Sequence, residues 1–130
     1  MTNPNGRCAV LVVEDEPNTR KAMKALLDSE GYVVTTASGG LEALEQFDSV
    51  NPDVVVTDLR MPGMDGLELL RRIRSTHSDL PVIVVTAFGA IETAKDAIRA
   101  GAVDYLQKPV DIDKLVIAIE SAIEHRHGPS

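Results

Sequence analysis

A chain of 130 residues, 44% of them hydrophobic, has the size and apolar content of one compact domain with a single core. Its formal net charge of -7 offers no basic field to gather phosphate backbones, which argues against direct nucleic-acid binding by this chain. The one cysteine, Cys8, excludes an intramolecular disulfide, residues 1–7 lack the apolar stretch of a signal peptide, and no apolar run approaches the roughly 20 residues that span a bilayer. The expectation is a cytoplasmic protein with no membrane partner.

The first apolar run, Cys8 to Val13, reads as a strand with Cys8 in the core. Glu14-Asp15-Glu16 follows, and Pro17 suits the first turn of a helix that faces inward with Met23, Leu26 and Leu27; Gly31 suits a left-handed position at its end. The second run is Tyr32 to Thr36, after which Ser38 is a candidate N-cap for a helix with Leu41, Leu44 and Phe47 on one face. Ser38-Gly39-Gly40 lacks the spaced glycines of a dinucleotide fingerprint and reads as a helix entry. The third run, Asp53 to Thr57, contains Val54-Val55-Val56, and beyond a loop holding Met61 and Met64 comes a helix with Leu67, Leu70 and Ile73. The fourth run, Val82 to Val85, precedes a helix with Ile91, Ala94 and Ile98 that Gly101 can close. The fifth, Val103 to Leu106, precedes Asp111, a candidate N-cap, and a helix with Leu115, Ile119 and Ile123.

Strands that are β-branched and apolar without alternation are covered on both faces, as in a parallel sheet. Five such units predict an α/β fold, a doubly wound five-stranded parallel sheet of the flavodoxin-like (βα)5 kind, with strand order 2-1-3-4-5 by analogy and another α/β order as the alternative. The expected division is an N-terminal tail over 1–7, one domain over 8–125, and a tail or the start of a linker over 126–130. After the breakers Gly128-Pro129 no output domain is expected.

Function follows from where the acids fall. Glu14 and Asp15 end the first run and Asp58 ends the third, so adjacent first and third strands bring all three to one carboxyl edge. Crowded carboxylates either hold a proton or bind a cation, and an oxygen-only set favours a hard ion, Mg2+ best of all. Taken alone, Glu14-Asp15-Glu16 reads equally as a solvated acidic turn at a helix start. Asp58 directly after a buried strand has few structural reasons to be there.

The stretch Asp58-Leu59-Arg60-Met61-Pro62-Gly63-Met64-Asp65-Gly66 resembles the phosphoacceptor signature of two-component response regulator receivers. The pair Glu14-Asp15, then Thr86-Ala87, then Lys108-Pro109 match the same family in order, and the resemblance covers nearly the whole chain. It implies that Asp58 takes a phosphoryl group from a sensor histidine kinase, and that Asp15, Asp58 and the Arg60 backbone carbonyl ligate Mg2+, with Glu14 acting directly or through water. It implies further that Lys108 and Thr86 contact phosphoryl oxygens, that the Lys108-Pro109 peptide is cis, so that Pro109 supports the site, and that Thr86 and Tyr105 form a switch repacking the surface of the fourth helix, fifth strand and fifth helix. Homodimerisation on phosphorylation belongs to the same expectation, as does shielding of the acyl phosphate by Arg60 and Phe88.

Many receivers carry two aspartates where this chain has Glu14-Asp15, which leaves metal affinity the open property. Val84 to Ala94 and Ala100 to Pro109 look similar to the receivers of nitrogen-regulation-type, sigma-54-activating regulators. The resemblance implies a phosphoacceptor signalling domain that assists its own phosphorylation and dephosphorylation, not a turnover enzyme. The alternatives are a single-domain phosphorelay shuttle, a phosphorylation-independent interaction domain, and an aspartyl-nucleophile phosphatase. The last requires a second acid two residues after a nucleophile on the first strand, where this chain has Pro17 after Asp15. His77, His125 and His127 lack metal-ligand spacing with strand-end partners.

Overall fold

The computed structural model describes residues 8–87 and 91–127. Its elements alternate strictly: β1 (Ala9–Val13), α1 (Pro17–Ser29), β2 (Val33–Ala37), α2 (Gly40–Val50), β3 (Val54–Asp58), α3 (Gly66–Thr76), β4 (Val82–Thr86), α4 (Ile91–Arg99), β5 (Asp104–Gln107) and α5 (Ile112–His127). All strand pairs are parallel, in the order β2-β1-β3-β4-β5. The expected topology is the one found.

The pleat sorts the core. Val10, Val12, Val54, Val56, Ile83 and Val85 face one layer, where Met23 and Leu27 of α1 and Leu115 and Ile119 of α5 cover them. Leu11, Val13, Val55, Val82 and Val84 face the other, against Phe47 of α2, Leu69, Leu70 and Ile73 of α3 and Ala97 of α4. Alternate residues of a strand point to opposite faces, so a strand with helices on both sides is buried throughout, as β1, β3 and β4 are.

The apolar runs and the strands differ by one residue in several places. Cys8, Tyr32, Asp53 and Val103 each precede the strand they were expected to start, and β2, β3, β4 and β5 each run one residue further than the apolar pattern. The ladder is a property of backbone pairing and not of side-chain polarity: Val103 enters the sheet through its amide, which donates to the Val82 carbonyl, while its side chain is half in solvent. Cys8 is accordingly half-buried instead of a core residue.

Three side chains expected on inward helix faces are exposed: Leu26 at 46%, Leu41 at 64% and Ile98 at 41%. Small alanines pack into the core layer in two of these helices, Ala43 in α2 and Ala97 in α4, while the expected Ala94 is also fully buried. Ser38 is not the N-cap of α2. Gly39 is, without a side-chain bond, and Ser38 instead donates its amide and hydroxyl to Glu42 Oε1 at 2.9 and 2.6 Å. The other expected signals hold: Pro17 opens α1, Asp111 accepts the Asp113 amide at the start of α5, and Gly31 and Gly101 have φ of +96° and +114°.

Candidate functional site at the carboxyl edge of the sheet

Glu14 directly follows β1, where it continues the parity of Val10 and Val12; Asp58 ends β3 with the parity of Val54 and Val56. Both side chains therefore lie on the α1 and α5 side of the sheet, and both are buried, at 2% and 7% exposure. Lys108 comes to the same place from the β5–α5 loop. Its Nζ lies 2.6 Å from Asp58 Oδ2 and 3.1 Å from Glu14 Oε1. The cis Lys108-Pro109 peptide is present as expected.

One ammonium thus faces two buried carboxylates. Burial pushes the Glu14 carboxyl above the ordinary carboxylate range, and Asp58 adds to the push; the Glu16 amide, which donates to Glu14 Oε2 at 3.0 Å, and Lys108 oppose it. Burial disfavours the charged form of Lys108, but its bonds to Asp58 and Glu14 outweigh that and hold its pKa above the ordinary lysine value. Asp15 brings a third carboxylate: oxygens of Glu14, Asp15 and Asp58 all lie within 4.8 Å of one another. Among the described residues this is the one group of three or more acids, histidines or cysteines so placed, and no histidine belongs to it. Three carboxylates against one ammonium leave an excess of negative charge in an all-oxygen pocket, which fits Mg2+.

The remaining expected residues gather around this centre with different degrees of engagement. Thr86, buried at the end of β4, directs its hydroxyl to the Ala87 carbonyl at a long 3.4 Å, and its own carbonyl accepts the Lys108 amide at 2.8 Å. Arg60 is exposed just past β3, and its amide donates to Asp58 Oδ1 at 3.2 Å. Tyr105 on β5 is partly buried against the α2–α4 layer. Phe88 lies outside the described residues.

Other candidates stay out of the site. The His77 ring sits on Phe47 with centroids 5.2 Å apart, and His125 Nδ1 lies 2.8 Å from the Ser121 carbonyl. Burial, with a contribution from Asp53, pushes the Cys8 thiol up to about 12, so it is no thiolate near neutral pH.

Three supporting residues carry roles that were not assigned from the sequence. Asp65 caps α3, accepting the Glu68 amide at 2.9 Å, which the pattern of Asp with Glu three places on could have disclosed. Gly66 is so close to the strand end that a Cβ there would collide with the Asp58 carbonyl and the Leu59 Cα. Arg20 on α1 donates from Nη1 to the Glu14 carbonyl at 2.8 Å and lies 3.4 Å from that of Asp15.

A doubly wound domain of this strand order, with acids and a lysine converging on its carboxyl edge, has the architecture of a signalling receiver. The chain belongs to the response regulator receiver domain family, whose model matches residues 10–120. It is 45% identical over 119 residues, 92% of its own length and 25% of the other's, to the DNA-binding transcriptional regulator NtrC of Escherichia coli strain K12. It is 40% identical over 115 residues, 88% of its length and 25% of the other's, to the regulatory protein AtoC of the same strain. A response regulator receiver domain protein from Clostridium thermocellum has the same fold, with a TM-score of 0.88 at 37% identity over 92% of this chain and 97% of that one. The chain spans about a quarter of the length of the curated relatives it matches.

Proposed function

We propose that this receiver accepts a phosphoryl group from a sensor histidine kinase onto Asp58. The observation that carries the reading is the buried Asp58 carboxylate held 2.6 Å from the Lys108 ammonium, within 4.8 Å of the oxygens of Glu14 and Asp15. In the transfer, a carboxylate oxygen of Asp58 attacks phosphorus, the P–N bond of the phosphohistidine breaks, and its electron pair returns to the imidazole nitrogen. The product is an aspartyl phosphate. Asp15, Asp58, the Arg60 carbonyl and Glu14, directly or through water, are the groups to hold Mg2+. Mg2+ held by these groups would supply neutralisation of the negative charge gathered during the transfer.

The chain's own groups do the rest. Lys108 neutralises Asp58 in the resting state and transfers its ammonium to a phosphoryl oxygen, where it acts as a point charge. Thr86, whose hydroxyl makes one long bond at 3.4 Å, turns to donate to a second oxygen. That movement vacates space beside β4, and Tyr105, packed half-in against the neighbouring layer, turns inward to fill it. The surface of α4, β5 and α5 changes shape and becomes the face that partners, including a second copy of the chain, read. Pro109 keeps the lysine aimed inward, and Arg60 and Phe88 shield the acyl phosphate from water.

The domain spans residues 8–125 and works in the cytoplasm, with no helix among the described residues long and apolar enough to cross a membrane. By likeness to NtrC and AtoC, its output is transcriptional regulation through parts of a longer regulator, with no nucleic acid bound by this domain itself. Intact-mass measurement after incubation with Mg2+ and acetyl phosphate tests the reading. Wild type gains one phosphoryl group per chain and Asp58→Asn gains none; an adduct on the variant, or none on wild type, would refute it.

A further inference from the structure

Consecutive residues of an extended strand point to opposite faces, so Glu14 and Asp15 could not both serve one pocket if β1 simply continued. Glu14 keeps the parity of Val10 and Val12, and its amide still bonds across the sheet edge to the Ala37 carbonyl at 3.0 Å. Asp15 nevertheless places a carboxylate oxygen within 4.8 Å of those of Glu14 and Asp58. The chain therefore leaves the strand direction here, bending at residues 15 and 16, and the bend is what makes an acid pair out of adjacent positions.

Arg20 stands at that bend. In an extended strand successive carbonyls diverge, yet Arg20 Nη1 lies 2.8 Å from the Glu14 carbonyl and 3.4 Å from the Asp15 carbonyl, so both oxygens converge on one nitrogen. The root of that side chain is held in the first turns of α1, where the Arg20 amide donates to the Glu16 carbonyl at 2.9 Å. Glu16 caps the same helix by accepting the Thr19 amide at 2.8 Å. Helix, cap and arginine form one closed unit around the acid pair.

We infer that Arg20 is a positioning residue for the Mg2+ site, fixing the two peptides that aim Glu14 and Asp15. The inference rests on the proposed metal site. Its direction opposes simple electrostatics: deleting a positive charge near a cation site should tighten cation binding, whereas deleting the strut that holds two ligands should weaken it. Groups that orient ligands without touching the metal typically contribute about tenfold or more to affinity.

The test is Mg2+ titration of the phosphate-free protein followed by amide NMR shifts at residues 14 to 16 and 58, with Asp15→Asn as control. Arg20→Met is expected to weaken Mg2+ binding about tenfold, and Arg20→Lys, which keeps the charge and one donor, to fall between. In the absence of metal, Arg20→Met should also speed hydrogen exchange at the Glu16 amide, which is held by Glu14 Oε2. Unchanged or tighter Mg2+ binding by Arg20→Met overturns the inference, as does unchanged Glu16 exchange. Should Arg20→Met fail to fold, the Arg20→Lys affinity decides alone, equality with wild type being the refuting result. Failure of wild type to bind Mg2+ with a loss in Asp15→Asn would instead refute the metal site, and the exchange measurement would still judge the bend.

Discussion

β3 is flanked and ended by two buried aspartates, five residues apart, with opposite fates. Asp53, immediately before the strand, is 2% exposed and its Oδ2 accepts the Ala9 amide at 2.8 Å, tying the start of β3 to the start of β1. Asp58, at the other end, is 7% exposed and faces a lysine, two further acids and the amide of Arg60. Burial alone does not make an acid reactive. An acid satisfied by a backbone amide consolidates the sheet, and one surrounded by competing charges is the one proposed to exchange its partner for a cation and an electrophile.

The largest effect that tests this contrast is at Asp58. Asp58→Asn should abolish phosphoryl acceptance, read by intact mass, whereas Asp53→Asn should accept at the wild-type level; loss in both would erase the distinction. Next comes Lys108→Met, which should slow phosphorylation by acetyl phosphate by about a hundredfold, in line with removal of one preorganised donor to developing charge, and a rate near wild type would count against its role. Asp53→Ala leaves the Ala9 amide without its carboxylate acceptor and should cost about 1 to 3 kcal/mol in denaturant unfolding while phosphorylation persists.

The smallest effect is the pH dependence of Glu14. Its carboxyl titrates above the ordinary range in the folded chain, so between the ordinary and the raised value the native state binds more protons than the unfolded one. The stability Glu14 contributes therefore falls as pH rises through that window and stays lowered above it. In Mg2+-free buffer, Glu14→Gln should match wild type best below the ordinary carboxylate range and gain thermal stability relative to it as pH rises. A difference in melting temperature that is flat with pH would contradict the assignment.

Much of this was written in the residues. Uninterrupted runs such as Val54-Val55-Val56 demanded helices on both faces, and the acids and lysine stood at strand ends that a switch-point topology must bring together. What stayed hidden depended on details that polarity does not encode. Leu26, Leu41 and Ile98 fit a 3.6-residue period, but the period does not say whether a large aliphatic residue or a nearby alanine turns to the sheet; Ala43 does so in α2 and Ala97 in α4. Asp53 and Asp58 both border the same apolar run, and only their partners from distant segments, Ala9 in one case and Lys108 in the other, separate the structural acid from the proposed acceptor. Arg20 was invisible for the same reason, since its bonds go to carbonyls that every residue owns.

The backbone bond from the Lys108 amide to the Thr86 carbonyl also sets a scale. Neighbouring strands stand about 4.8 Å apart, so the roots of the threonine and the lysine form a caliper whose jaws cannot widen without breaking a rung of the sheet. Under the proposed transfer to Asp58, that fixed separation of the two backbones would keep the threonine hydroxyl and the lysine ammonium addressed to one bound phosphoryl group.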